Sequence, residues 1–474
     1  MTTSPFFFQR CRGIKRYKDK NISQKNGWSL LLLLLLLLLL LLILFSAPYT
    51  FASEKHKAGL LDYVSSSKNN NQEETIFDPD AQPPLAIRIR PCLSLGAKLT
   101  VEAQWYDNGD LDDSVADDVM LLEYKLGFAA LYEPRPDIDL LGEVRVTHLS
   151  PLKDSSDRES GETEVELRKA YLLWMDAFDF PINIQIGRRK FKDDREWLYD
   201  EGLDALRILY KGNRLAVDMS VSRKLFNTED KIERDITNYV VSSTYRYGKK
   251  DRIAAYGILR QDWDEEGRDR VWFGFSWRGR PYEDLKSWAD LALLRGNGGS
   301  ANFRGLGVDV GGIFCFDHLA KTSFTLSYAY GSGDSDLNDK VDKTFRQTGL
   351  QDNEGRFNGV TKFKYYGEVF DPELSNISIW TLGFGIRPTK NTSFDLVYHY
   401  YTRVKKDGPL GDHEVDADLT GNDRQLGQEI DIILGVRVKK NVRLALTEGV
   451  FRPGNTFVHR DKAYFGEIKL QFSF

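Results

Sequence analysis

From Leu85 to the final Phe474 the chain alternates apolar and polar residues with a period of two. In 98–105, Leu99, Val101, Ala103 and Trp105 oppose Lys98, Thr100, Glu102 and Gln104. In 143–147, Val144 and Val146 oppose Glu143, Arg145 and Thr147. Val165, Leu167, Tyr171 and Leu173 oppose Glu164, Glu166 and Arg168, with Lys169 breaking the apolar side. Ile430, Ile432, Leu434, Val436 and Val438 oppose Glu429, Asp431, Arg437 and Lys439. This is the strand period, since successive Cβ atoms of a strand point to opposite faces.

A half-buried soluble sheet alternates too, but three features favour a membrane. The segments run to about ten residues, the length a tilted strand needs to cross a bilayer. Their ends carry aromatic clusters such as Tyr398, Tyr400 and Tyr401, or Trp272, Phe273, Phe275 and Trp277, as interfacial girdles do. The stretches between them are polar and alternately short and long. In the last segment Tyr464, Gly466, Ile468, Leu470, Phe472 and Phe474 occupy alternate positions, as in the terminal strand that the barrel-assembly machinery reads. The pattern predicts an all-β fold over residues 85–474: a transmembrane antiparallel β-barrel of a bacterial outer membrane, with about eighteen to twenty candidate strands and an even number expected. A closed barrel leaves no backbone edge unpaired in lipid. The polar insertions Pro151–Gly161, Gly331–Lys343 and Lys406–Asn422 are expected as extracellular loops or pore-facing lids.

Ahead of this region the order is different. Seven basic residues between Arg10 and Lys25 precede an apolar run from Leu30 to Phe45, and Thr50-Phe51-Ala52 follows. That order predicts a signal peptide over residues 1–52, cleaved after Ala52. Sixteen helical residues reach only about 24 Å, short of the hydrocarbon core, which disfavours a permanent anchor. Residues 53–84 read as a polar periplasmic linker.

Composition narrows the function. Without the leader, 58 basic and 69 acidic residues remain, which disfavours a nucleic-acid partner. Three cysteines, Cys11, Cys92 and Cys315, form no metal-ligand pair, and the acidic runs at 107–113 and 334–339 lack the glycine and closing Glu of a calcium loop. Six scattered histidines and the absence of nucleophile or phosphate-binding motifs give no support to an enzyme, and no cofactor or metal is expected.

Several runs resemble the alginate-export outer-membrane porins. They are Ile186-Gly187-Arg188-Arg189-Lys190-Phe191-Lys192-Asp193-Asp194 with Leu203-Asp204-Ala205-Leu206, then Phe345-Arg346-Gln347-Thr348-Gly349-Leu350 with Phe357-Asn358-Gly359. Tyr366-Gly367-Glu368-Val369-Phe370, Glu373-Leu374-Ser375-Asn376, Leu426-Gly427-Gln428-Glu429-Ile430-Asp431 and Gly449-Val450-Phe451-Arg452-Pro453-Gly454 follow in the same order. The resemblance implies an eighteen-stranded barrel that conducts a polyuronate through an arginine-rich constriction with acidic partners. It carries over to Arg90, Arg168, Arg188 and Asp200; where such porins have arginines before the Tyr-Gly-Glu run, this chain has Lys362 and Lys364.

Alternation puts Arg88, Arg90, Arg145, Arg168, Arg207, Lys362, Lys364 and Arg437 on the lumenal side, with Glu368 and Asp200 beside them. Arg188 falls on the apolar side, counting from Ile182, Ile184 and Ile186, so either a bulge at Gly187 reverses it, the favoured reading, or the strand has already reached the rim. These eleven residues form the expected pore lining. Convergent bases attract the carboxylates of a polyanion, and arginine stays charged and pairs them through its planar fork. The expected function is a passive outer-membrane pore for an anionic, alginate-like polysaccharide. The alternative is a general or small-anion diffusion porin. Expected partners are that polysaccharide, outer-membrane lipid and lipopolysaccharide, the barrel-assembly machinery and a periplasmic secretion scaffold, around a monomer.

Overall fold

The structure, a computed structural model, describes residues 83–474 except 155–160, 194, 226–234, 264–268, 299–300, 317–319, 337–338 and 422. The expected signal peptide, 1–52, and nearly all of the expected linker, 53–84, lie outside the described residues.

Eighteen long strands form one antiparallel barrel. The first six are β1 (Leu93–Asp107), β2 (Val119–Arg135), β3 (Ile138–Asp154), β4 (Glu162–Trp174), β5 (Ile182–Lys192) and β6 (Asp200–Lys211). The next six are β7 (Leu215–Arg223), β8 (Ile236–Arg246), β9 (Arg252–Asp262), β10 (Asp269–Tyr282), β11 (Leu285–Gly298) and β12 (Ala301–Phe316). The last six are β13 (Thr322–Gly331), β14 (Ile377–Thr389), β15 (Thr392–Arg403), β16 (Gln425–Lys439), β17 (Val442–Pro453) and β18 (Ala463–Ser473). Each pairs with its successor, and β18 returns to β1 in an unbroken ladder from Lys98–Ser473 to Asp107–Tyr464. Phe474 adds two more backbone bonds to Ala97, at 2.8 and 3.1 Å. Among the described residues the helical content is one 3-10 turn, Ala177–Asp179.

The wall is inside-out relative to a soluble protein. Its apolar side chains face outward: Phe324, Leu326, Trp380 and Leu382 are all at least half exposed. Its polar ones are shielded: Glu102 is 3% exposed, and Glu429 and Asp431 are 0%. Only a hydrocarbon solvent makes such a surface favourable. Aromatic rings cluster toward one rim, where Phe314, Phe316, Phe324 and Phe384 form a chain with centroids 4.7–5.9 Å apart.

Three local readings of the alternation change. Ile87–Arg90 is no wall strand; it is a short exposed segment folded back on Ser94 and Leu95. In β4 the register shifts between the pairs Val144–Leu167 and Glu143–Lys169, so Arg168 is an extra residue. That bulge switches the facing, which is why Lys169 joins Glu143 inside instead of breaking an apolar side.

At Gly187 the expected bulge is absent. The register runs unbroken through Gly187, which takes φ +119°. The β4–β5 ladder instead ends at Ala170–Arg188. Above it the β5–β6 tip has left the wall, because both its faces are enclosed. Phe191 and Leu203 pack on Leu350, while Asp200, of opposite parity to Leu203, meets Asp352.

The largest departure is the segment between β13 and β14. The described part of 332–376 is a lid lying inside the barrel rather than a chain of wall strands. A Cβ on inward-facing Gly305 would sit 2.6 Å from Phe345 Cα, and one on Gly449 2.7 Å from Val369 Cγ2. The lid therefore lies flush against β12 and β17. Its rings Phe345, Phe357, Phe363, Tyr365, Tyr366 and Phe370 are all nearly fully buried.

Candidate functional site

The lumen is built from wall charges on one side and the lid on the other. Around β1–β4 and β18 the inward positions carry alternating signs. Arg145 donates to Glu166 at 2.8 Å, and Arg168 lies 3.6 Å from the same carboxylate. Lys169 is 2.8 Å from Glu143. Lys125 bridges Glu123 at 2.6 Å and Glu102 at 3.3 Å, and Lys469 bridges Glu467 at 3.0 Å and Glu102 at 3.6 Å. Side chains on this side retain exposure, 20% for Arg145 and 21% for Lys125. They line water-accessible space.

The lid is held by three kinds of contact. The first is the described part of the β5–β6 tip, Asp193 with residues 195–199. Asp193 accepts the amides of Arg195, Trp197, Leu198 and Tyr199 at 2.8–3.1 Å, which folds the loop tightly. Trp197 then donates its indole N–H to Tyr366 at 2.9 Å, and Tyr366 donates to Asp309 Oδ2 at 2.8 Å. Arg195 lies between the rings of Trp288 and Tyr365, 4.3 and 4.1 Å from their centroids, and pairs with Asp309 at 3.1 Å. The second is Glu429 on β16, which accepts Val369 N at 2.7 Å, Phe370 N at 3.0 Å and the Tyr401 hydroxyl at 3.0 Å. Gly367, at φ +116°, allows this turn to press on Tyr401. The third is ring stacking, with Phe370 parallel to Phe451 at 4.9 Å.

The eleven residues singled out in the sequence are not one ring. Arg145 and Arg168 share Glu166 on the open side. Lys362 (2.5 Å from Glu196) and Lys364 (2.5 Å from Asp352) sit on the lid, and Glu368 accepts Lys364 N at 2.9 Å. Asp200 pairs with Lys190 at 2.7 Å beside them. Arg207 is nearly buried, bidentate to Asp218 and 5.2 Å from the Phe191 ring. Arg188 is 2% exposed and pairs with Asp204 at 3.1 Å, where the hairpin leaves the wall. Arg88 and Arg90 are exposed beside the start of β1, and Arg437 lies at the end of β16 near the Lys440 carbonyl. Sequence reasoning passed over Glu196, Asp352 and Arg195. Their signal was present only as charges within a loop, which alternation cannot orient.

Burial raises the Glu196 carboxyl to about 7, against the pull of Lys362, and raises that of Glu354 to about 8, with Asp352 adding to it. The carboxylates of Glu196, Asp200 and Asp352 lie within 4.8 Å of one another. Each already faces an ammonium, so the arrangement suits ion exchange better than metal binding.

A closed, lipid-facing barrel with a charged lumen defines an outer-membrane channel. The model of the alginate-export family matches residues 128–470, and the chain belongs to that family. It is 23% identical over 358 residues to the alginate production protein AlgE of Pseudomonas aeruginosa, covering 63% of this chain and 72% of that one. Over 154 residues it is 29% identical to the alginate production protein AlgE of Azotobacter vinelandii, covering 28% of this chain and 32% of that one. Among solved structures, OccD3 (OpdP) of Pseudomonas aeruginosa superposes with a TM-score of 0.54 at 9% identity, over 87% of this chain and 99% of that one. OccAB2 of Acinetobacter baumannii gives 0.53 at 10% identity, over 80% and 98%. Identity that low speaks for the shared barrel alone.

Proposed function

We propose that this channel passively conducts an anionic polysaccharide of the alginate-like, polyuronate class. The observation that carries the reading is the pairing of lumenal bases with acids along the water-accessible wall, from Lys125 and Arg145 to Lys469. Such pairs offer a polyanion many weak sites, each neutralised again as the polymer moves on, so it can enter and leave. Family membership supports the same substrate class. Arg145, Arg168, Lys362 and Lys364 are the bases that meet the polymer, and Arg88, Arg90 and Arg437 lie on its approach. Arg188 and Arg207, nearly buried in their pairs, position the hairpin tip. We also read the channel as a monomer, inserted by the barrel-assembly machinery and served by a periplasmic scaffold.

Single-channel conductance in planar bilayers, with and without an oligouronate, tests this. Block by the oligouronate, relieved by Arg145→Glu or Arg168→Glu, is the expected result. A pore that small anions cross freely and the oligouronate does not block overturns it in favour of a diffusion porin.

A further inference from the structure

Where the lid crosses the β5–β6 tip, four lysines meet carboxylates from both sides. Lys362 Nζ is 2.5 Å from Glu196 Oε1, and Lys192 Nζ is 3.5 Å from the same oxygen. Lys364 Nζ is 2.5 Å from Asp352 Oδ1, 2.8 Å from the Asp352 carbonyl and 3.3 Å from Asp371. Lys190 holds Asp200 at 2.7 Å. Water reaches the cluster, since the side chains of Lys192 and Asp352 are 37% and 35% exposed.

Resting on the conduit reading above, we propose that Glu196 and Asp352 are built-in stand-ins for the polymer's carboxylates. They occupy Lys362 and Lys364 in the empty pore and are exchanged for uronate carboxylates as the polymer threads. The chemistry of the two states is the same, a carboxylate on an ammonium. No lysine is stripped bare during the exchange, which avoids the large cost of an uncompensated shielded charge. A solute without carboxylates cannot make the swap, so the cluster selects for charge as well as size.

Two further features fit. Burial already disfavours the charged form of Glu196, raising its carboxyl to about 7 against the pull of Lys362, so its hold on that lysine is weak enough to be exchanged. The Lys362–Glu196 pair also joins the lid to the hairpin tip, while the other end of the lid is fastened separately by Glu429 and the Phe370–Phe451 stack. Exchange therefore swaps one side-chain tie while the lid stays seated, since the Glu196 carbonyl still accepts the amides of Asp352 and Asn353 at 3.1 and 3.0 Å. Lysine suits this task because its single flexible head can change partners without the matched geometry an arginine fork requires.

The full-length channel in planar bilayers, titrated with an oligouronate and with a neutral oligosaccharide of equal length, tests the proposal. Glu196→Gln with Asp352→Asn removes the competitors. The oligouronate is then expected to block at a concentration at least tenfold lower, with the response to the neutral sugar unchanged. Asp352→Asn alone, at the more exposed position, is expected to give a smaller shift of the same sign, and Lys362→Gln a shift of opposite sign. A wild-type pore that is blocked while the Asn and Gln variants are unchanged, or blocked less readily, overturns the stand-in role and leaves the conduit intact. A wild-type pore that ignores the oligouronate overturns both. Heat-modifiable mobility on gels verifies that each variant is folded.

Discussion

Among the described residues no lysine or arginine pairs with Glu429, yet two lid amides and the Tyr401 hydroxyl donate to its carboxylate. Truncation to alanine would leave those donors shielded and unmatched, at about 1–3 kcal/mol each. We expect Glu429→Ala to release the β16 end of the lid, seen as larger and noisier single-channel currents with the folded barrel band unchanged. Gly367→Ala should act in the same direction, because its Cβ would lie 2.2 Å from the Tyr401 hydroxyl at a φ that alanine rarely adopts. At this scale the sequence told which residues are polar and inward, such as Glu102 and Asp431, because period two is a local property. It could not tell that Lys169 faces inward, since one inserted residue at Arg168 inverts every side chain beyond it.

Among elements, the lid and the β5–β6 hairpin were the least legible. Both are rich in apolar and charged residues at strand spacing, and 362–365 alternates as well as any wall strand. What sets them apart is which surfaces they meet, a tertiary fact. Between them lies the pair of carboxyls raised to about 8 at Glu354 and about 7 at Glu196. A raised acid pKa means that the docked lid holds protons which a released lid would give up. Its stabilising contribution is complete below the ordinary carboxylate value of 4.5 and is lost as pH rises through about 7 to 8. We expect lid-opening bursts in bilayer recordings to become more frequent between roughly pH 5 and 8.5, the span of those shifts. Glu354→Gln, which stays neutral, should flatten much of that dependence.

The whole molecule was the most legible scale. Alternation, segment length and a terminal aromatic strand are repeated around the chain, so errors in one segment leave the architecture standing. The inside-out wall makes a direct prediction. Leu382→Arg, on an outward position 53% exposed, should cost about 2–4 kcal/mol near the bilayer midplane. Glu123→Gln, in the water-accessible lumen, should cost no more than about 1 kcal/mol. Urea titrations of barrels folded into lipid vesicles would separate the two.

The reach of the lid also orders events in time. It is anchored to β6, β12, β16 and β17, strands that span most of the circumference. It can seat fully only once those strands stand in their final places. A nascent channel is therefore unplugged until β17, the latest of these strands in the chain, arrives. Stalled biogenesis would then betray itself as antibiotic leakage, before any change in the amount of protein in the envelope.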